Sequence, residues 1–319
     1  MAYYPVDLKS FALKKESVRG TAETAPAKHV KVARDSSLDY SLEHIENDRI
    51  QGVNSDFNPE AGRKIGVGKL TIDVEAETIG EFMYSLLGTV VTAQQSTSTA
   101  YVHTFSKTTS TRHQAYTMFV NRGVDYFRSS LGVVKRIEFS GDTQGKAQAS
   151  VDMLFKAEQT ASSFSPTIAA PDPFLFHETI FKIDGTQDSD IGKWNLSIDN
   201  QSEGLWLLNS SQDVSDIVTA KKLMLEGGFD IYFTNTAERA DFLANTSRKM
   251  EVVMTGATIT GTHAYTLTLA AYGCRYVSVP FDSELDGGLI GASVGFKGFY
   301  SVSDSKAFDA TLKNTSTTY

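Results

Sequence analysis

The chain has 319 residues, 41% hydrophobic and 21% charged, which is a globular composition and a length sufficient for two domains with separate cores. Its net charge of -8 lies entirely in residues 166–319, because acidic and basic residues balance in residues 1–165. This distribution argues against tight binding of nucleic acid, which depends on Lys and Arg that neutralise phosphates. It is compatible with a protein past which nucleic acid slides without sticking.

The chain begins with a polar segment, residues 1–30, that we interpret as an extended arm, with a disordered terminus as the alternative. A strand is predicted at residues 29–33. Residues 40–66 are weakly periodic and interrupted by Asn, Pro and Gly, which indicates a long hairpin loop. Because the arm and the loop are polar and poor in packing residues, we expect both to become ordered only when subunits stack.

Strand and helix patterns follow in the first half. Residues 68–74 alternate apolar and polar side chains, as a half-buried strand does. A helix is predicted over residues 78–88, where Thr78 and Glu81 form a capping-box pattern and Gly88 ends the helix. Further strands are predicted at residues 115–121, 124–129, 133–139 and 147–157.

A serine cluster followed by three prolines predicts a boundary, because such a segment cannot continue a sheet. We therefore predict a first module at residues 1–165, which includes the arm, a linker at 166–172 and a second module at 173–319. The second module is predicted to contain a loop at 199–218, a short helix at 236–245, and strands at 193–198, 222–225, 228–233, 250–255, 263–270 and 289–299.

The order of elements is the same in both halves. An acidic turn with glycine precedes the alternating strand that starts Ala149-Ser150-Val151, and a similar turn precedes Ala292-Ser293-Val294. Further upstream, each half has a strand and then a short amphipathic helix. This repetition predicts an all-β fold of two tandem modules that superpose, each sandwich-like or barrel-like with one short flanking helix. Chance similarity between two β domains is the alternative, since identity outside these strands is low.

The motifs in the chain fail the requirements of catalytic, cofactor and metal sites. Ser293 lies in a Gly-x-Ser-x-Gly pattern, but within an alternating strand rather than the strand-to-helix turn that a nucleophile needs. The segment 62–69 has the wrong spacing for a phosphate-binding loop. The six histidines and the acidic cluster at 184–190 lack metal-ligand spacing. We therefore predict no catalytic residue, no cofactor, no metal and no enzymatic activity.

The sequence also lacks the patterns of a disulfide framework, a signal peptide and a membrane span. The single cysteine, Cys274, excludes an intrachain disulfide framework and is interpreted as a small packed hydrophobe. Residues 1–20 contain no apolar stretch of signal-peptide length, and no run approaches the length of a membrane span. We expect the chain to be made and folded in a cytoplasm.

Four segments, residues 15–21, 62–68, 101–105 and 312–319, follow one another in an order that resembles the major tail tube proteins of long, non-contractile-tailed bacteriophages. The resemblance implies a β-sandwich flanked by a helix, and rings that stack into a hollow tube carrying DNA from capsid to host. For a chain with two modules it implies a homotrimeric ring with pseudo-sixfold symmetry, with a homohexamer as the alternative. It also implies other tail proteins at the tube ends, assembly in the host bacterial cytoplasm and a location in the virion tail.

Two further expectations concern surfaces. The tube interior is expected to be net acidic or neutral so that double-stranded DNA passes without sticking; the alternative is that the acidic excess faces outward and serves solubility. The alternative function is a two-domain module that binds carbohydrate or a surface, as an adhesin does. Such a module would expose aromatic platforms, although core or interface positions are the simpler interpretation of its candidates, Trp194, Trp206, Tyr232, Tyr272 and Tyr276.

Overall fold

A computed structural model describes residues 8–46, 52, 55, 58–167, 173–232, 236–280, 283–285 and 288–319. The first half forms, in chain order, β1 (Ser10–Lys15), β2 (Lys28–Val30), β3 (Ser37–Ile45), β4 (Glu60–Asp73), α1 (Ile79–Leu87), β5 (Gly88–Gln94), β6 (Tyr101–Lys107), β7 (Tyr116–Asn121), β8 (Tyr126–Asp142), β9 (Gln148–Phe155) and β10 (Glu158–Thr160). The second half forms β11 (Thr179–Ile183), β12 (Thr186–Gln187), β13 (Ile191–Asp199), β14 (Glu203–Leu205), β15 (Asp216–Val218), β16 (Met224–Tyr232), α2 (Ala237–Ala244), β17 (Arg248–Thr260), β18 (His263–Ser278), β19 (Ser283–Leu285), β20 (Leu289–Gly298) and β21 (Phe308–Asn314).

Each half pairs its strands into two antiparallel layers joined by one long strand. In the first half, one layer has the order β3-β4-β9-β8 and the other the order β1-β7-β8-β10, so β8 belongs to both. In the second half the orders are β13-β16-β20-β18 and β11-β17-β18-β21, and β18 is the shared strand. The predicted all-β class with one short helix per half is confirmed.

Irregularities recur at matching positions of the two shared strands. The pairing of β8 with β9 shifts register between Val134 and Arg136, and that of β18 with β20 shifts between Tyr276 and Ser278. Near the start of each kink, Leu131 and Gly273 both have a φ of 57°. A left-handed residue and a bulge bend a strand sharply, which lets one strand serve two layers.

The core lies between the layers and joins both halves into one cluster. Alternation explains the buried face of β9, where Ala149, Val151 and Met153 point inward. In the second half, Phe229 of one layer meets Phe181 of the other, with ring centroids 5.2 Å apart. Such interdigitated aromatic and β-branched side chains are typical of sandwich cores.

The two α-helices of the described residues are close to the predicted ones. α1 ends at Gly88, which takes the left-handed conformation with φ 84°, as predicted. The capping box predicted at Thr78 is wrong in one respect: the Thr78 side chain makes no capping hydrogen bond. Neither helix is long and apolar enough to cross a membrane.

The N-terminal arm differs most from expectation. Residues 10–15 form β1, which pairs with β7 over its whole length and buries Phe11, Ala12 and Leu13. This part of the arm is therefore folded within the subunit and does not wait for stacking. Residues 1–7 lie outside the described residues.

Other boundaries also differ from those predicted. The loop predicted at 40–66 is largely the β3–β4 hairpin, and most of residues 47–57 lie outside the described residues, as do residues 168–172 of the predicted linker. The strands predicted at 124–129 and 133–139 are one strand, β8, bent at Leu131. The β5–β6 hairpin and β21 were not predicted.

Truncation of a core side chain should be costly. Phe139 is fully buried on β8, so Phe139→Ala removes apolar contacts and leaves a cavity that the sandwich cannot close. We expect a loss of about 3–5 kcal/mol in the free energy of unfolding, measured by urea denaturation. A loss below about 1 kcal/mol, the range of surface substitutions, would contradict the assignment of Phe139 to the core.

Candidate assembly surface

The two halves are joined edge to edge into one sheet. β8, the last strand of the layer β3-β4-β9-β8, pairs with β13, the first strand of the matching layer in the second half. The ladder runs from Arg136 opposite Asp199 to Asp142 opposite Lys193 without a shift of register. Because β3 and β13 hold the same place in their layers, this junction is a head-to-tail contact between two similar units.

A second ladder joins the other layers. β21 of the second half pairs with β6 of the first, which in turn pairs with β5. The chain end then crosses α1: a Cβ on Gly80 would lie 2.2 Å from the ring of Tyr319, so only glycine allows this approach. Asn314 fixes the same region, because its Nδ2 donates to the Ala76 carbonyl at 2.8 Å and its Oδ1 lies 2.9 Å from His103 Nε2.

The segment between β13 and β16 also packs on the first half. Val214 and Ile217 form a buried apolar cluster with Ala115, Leu131 and Val133. At its edge, Arg19 Nε lies 3.1 Å from Asp216 Oδ1, and the Arg19 guanidinium also donates to the carbonyl oxygens of His113 and Ile217. One arginine of the arm therefore holds backbone and carboxylate groups of both halves.

Loss of Arg19 should loosen this segment. Arg19→Ala leaves the Ile217 carbonyl without its donor and leaves buried Asp216 with Arg112 as its remaining ion-pair partner. We expect a loss of about 2–3 kcal/mol in the free energy of unfolding, since hydrogen bonds to charged groups are the strong ones. Hydrogen exchange should accelerate in β14 and β15 before the rest of the chain. Arg63→Ala is the control and should cost less stability, because it removes a single cation–π contact, in which Arg63 Cζ lies 5.1 Å from the centroid of the Trp206 ring.

Buried polar groups lie where α1 meets the end of β13. His113 Nδ1 is 3.2 Å from the Ser85 carbonyl oxygen, and its Nε2 is 3.2 Å from Lys107 Nζ. Lys107 Nζ donates to Asn200 Oδ1 at 2.5 Å. Burial lowers the pKa of Lys107 to about 8, and burial together with the Lys107 charge lowers the pKa of His113 to about 4. A neutral imidazole that donates from Nδ1 to the Ser85 carbonyl and accepts at Nε2 from Lys107 satisfies these two contacts.

This histidine predicts an acid-sensitive subunit. The folded pKa of about 4 lies below the ordinary value of 6.5, so the unfolded chain binds more protons between these pH values. Stability contributed by His113 is therefore complete above pH 6.5 and falls by up to about 3 kcal/mol as the pH drops toward 4. Urea denaturation across this pH range should show a shallower pH dependence for His113→Gln than for the wild type. Equal slopes would contradict the role of His113.

The open face of the joined sheet is polar and carries charges of alternating sign. Lys69 stands opposite Asp152, which stands opposite Arg136, which stands opposite Asp199 on the next strand. Acidic residues outnumber basic ones at the alternating positions that point away from the core: the acidic residues include Asp39, Asp73, Glu138, Asp142, Asp152, Asp199, Glu226 and Asp230, and the basic residues include Lys69, Arg136, Lys193, Arg275 and Lys297.

Free edges bound this sheet at both ends. In the part of the chain that the structure describes, β3 pairs only with β4, and at the other end residues 275–278 of β18 and the short β19 pair only with β20. Unpaired backbone groups along such an edge are a template for another strand. The joined sheet therefore has one edge of each kind that the β8–β13 junction brings together.

The motifs considered in the sequence do not come together as a catalytic or metal site. Ser293 lies in the middle of β20, and its hydroxyl donates to Asp230 on the neighbouring strand. The Asp184 carboxylate accepts hydrogen bonds from the Arg248 guanidinium and the Lys249 amide. Among the described residues, no group of three His, Cys, Asp or Glu side chains is placed to hold a metal ion.

The aromatic candidates for a binding platform are mostly internal. Trp194, Tyr272 and Tyr276 are buried, and Trp206 and Tyr232 are half-buried. An adhesin-like role therefore lacks the exposed aromatic surface it would need among these residues.

Cys274 is also buried, and its burial raises the pKa of the thiol to about 12. The functional features that sequence reasoning missed are the β8–β13 junction and the contacts of Arg19.

Comparison with known proteins gives the family. Among curated proteins, none matches this sequence. The sequence model of the family described as phage tail tube protein matches residues 8–298, which include every named strand except β21, the β8–β13 junction and its free edges. The predicted resemblance is thereby confirmed. The chain is a structural protein of the virion tail that self-assembles into a tube, and it belongs to the phage tail tube protein family.

Proposed function

We propose that three copies of this chain close into a ring by repeating between chains the junction that joins the halves within one chain, and that these rings stack into the tube. The observation that carries the proposal is the β8–β13 ladder, which connects two layers of the same strand order and leaves a matching free edge at each end. Closed rings remove such edges.

The proposal treats the chain as two tandem modules, residues 1–165 and 173–319, with a linker at 166–172. Matching strand orders and matching irregularities at Leu131 and Gly273 support this division. Six modules then form the ring with pseudo-sixfold symmetry. A homohexamer of full chains is the alternative.

The polar face of the joined sheet is proposed to line the channel. Its acidic excess repels the phosphates of double-stranded DNA over a Debye length of about 8 Å at physiological salt. Each Lys or Arg bound to phosphate would add a counterion-release contribution that retains DNA; here Arg136 and Lys297 are instead paired with Glu138 and Glu226. DNA therefore passes during genome ejection without sticking.

Assembly in the host bacterial cytoplasm, and contacts with other tail proteins at the tube ends, complete the proposal. The role is structural, without catalysis, cofactor or metal.

Imaging and mass measurement test the ring. Purified protein at rising concentration should give rings and tubes in negative-stain images, and native mass spectrometry of the rings should give the mass of three chains. A closed ring of six chains would refute the trimer, and monodisperse single chains at all concentrations would refute the tube.

Purified tubes should bind double-stranded DNA weakly. Because the face proposed for the channel is net acidic, we expect little retention of short duplexes in a filter or anisotropy assay at physiological salt. The paired variant Asp152→Lys with Asp199→Lys adds cations to this face and should produce salt-sensitive binding. Tight, salt-sensitive binding by wild-type tubes would contradict the proposed channel face.

A further inference from the structure

The two helices hold matching places but differ in burial. α1 and α2 each follow a strand of the joined sheet and end in a left-handed residue, Gly88 and Asn245. Counting back from these ends, Leu86 and Leu243 take the same position. Leu86 is fully buried, whereas Leu243 is 73% exposed and Phe242 beside it 37% exposed. An apolar helix face is therefore covered in the first half and open in the second.

Residues of the second half contact both ends of α1. Asn200, the residue after β13, donates from Nδ2 to the Leu86 carbonyl and from its backbone N–H to the Lys135 carbonyl at 2.9 Å. Tyr319 covers the other end of α1, over Gly80. The unit that joins the free edge of the first half therefore contacts the end of α1 at the Leu86 backbone.

Strand registers identify the residues that would take these places at the open junction. In the first half, Gly68 has Leu38 opposite it on one side and Met153 of β9 on the other. In the second half, Gly227 has Leu196 on one side and Phe296 of β20 on the other. Leu38 therefore corresponds to Leu196. Counting along β3 and β13, Leu42 corresponds to Asn200.

The other side of the junction follows in the same way. The register shift in β8 skips Lys135, and the shift in β18 skips Val277, so these two residues correspond. α2 ends beside this point, because the Arg275 guanidinium donates to the Asn245 carbonyl. Val277 is 50% exposed and Leu42 is 38% exposed.

We propose that Phe242, Leu243 and Val277 form a docking surface for a second copy of this chain, whose Leu42 lies against Leu243 as Asn200 lies against Leu86. The inference rests on the proposed ring and adds the side chains that bind across it. The occupant is a second copy because, within the chain, the equivalent strand end already contacts the end of the equivalent helix.

The chemistry of the two junctions differs in a way that suits their tasks. Within the chain, the polar residues Asn200 and Lys135 meet beside Leu86, and the covalent connection of the halves holds them together. Between chains, the corresponding Leu42, Leu243 and Val277 are apolar, so removal of water from them favours association. Leu243 is expected to become buried in the ring.

Leu243→Asp tests the docking surface. Because Leu243 is exposed in the single subunit, the variant should keep the wild-type circular dichroism and melting temperature, but the concentration needed for half-maximal ring formation should rise at least tenfold. Val91→Asp is the matched control: Val91 is 64% exposed on β5, where the neighbouring Val90 packs against the core. It should assemble as the wild type does.

A reciprocal pair sharpens the test. Leu42→Lys alone should impair ring formation, and Leu42→Lys combined with Leu243→Asp should recover part of it through an ion pair across the junction. Normal assembly of Leu243→Asp, an equal defect in Val91→Asp, or no recovery in the pair would each overturn the docking surface while leaving the ring intact. Failure of the wild type to form rings would refute the proposed function itself.

Discussion

A subunit without residues 1–20 is expected not to fold. The deletion removes β1, whose Phe11 and Leu13 are buried, together with the ladder that β1 forms with β7 from Ser10 to Lys15. It also removes Glu16, whose carboxylate accepts hydrogen bonds from the Leu131 and Gly20 amides, both at 2.6 Å. Truncation of two such apolar side chains alone costs about 5–10 kcal/mol, comparable with the whole stability of a domain.

Circular dichroism and solubility measure this outcome. The truncated chain should lose its cooperative melting transition and collect in the insoluble fraction. Deletion of residues 1–7 alone leaves β1 in place and is the matched control, which should fold. A stable, soluble chain without residues 1–20 would mean that β1 contributes little, and would restore the arm as an element used only for assembly.

The arm was misjudged because sequence patterns report periodicity and not partners. β1 offers only two large apolar side chains, Phe11 and Leu13, between lysines, and this short alternation resembles a solvated terminus. Burial of these residues depends on β7, far along the chain, and on the loop that returns through β2. The β5–β6 hairpin was missed for the same reason, because its polar residues are placed in a sheet by β21.

Elements with a regular apolar period and a clear boundary residue were predictable. The strands β9 and β20 follow from strict alternation after an acidic turn, and the helix α1 follows from its apolar spacing and the glycine that ends it. The repeated order of elements was also visible in the sequence, since the Ala-Ser-Val strands hold equivalent places between their neighbours. The β8–β13 junction was not visible, because an alternating strand does not specify which edge it meets.

The same junction predicts a disulfide between chains. Arg136 stands opposite Asp199 in the β8–β13 ladder. Ser278 corresponds to Arg136, because each is the first paired residue after the register shift of its strand. Ser41 corresponds to Asp199, because each lies three residues after the matching leucine, Leu38 or Leu196. A repeated junction therefore places Ser41 of one copy opposite Ser278 of the next. Facing residues of antiparallel strands have Cβ atoms about 4.5–5.5 Å apart, near the range that a disulfide can span.

Ser41→Cys combined with Ser278→Cys should become cross-linked on mild oxidation of assembled tubes and remain uncross-linked in dilute, unassembled subunits. The native Cys274 is buried and should not take part. Ser41→Cys with Ser150→Cys is the control, because Ser150 lies on β9, an interior strand of the sheet, and it should give no ladder of products.

The size of the largest product decides the closure of the ring. If three chains close it, denaturing gels without reductant should show dimers and a final species of three chains, because every Ser41 position then has its partner and no free edge is left. A series that ends at six chains would establish the homohexamer instead. Absence of any cross-link in tubes that are visible by microscopy would show that the junction within the chain is not the one repeated between chains, since the pairing of Ser41 with Ser278 follows from that repetition alone.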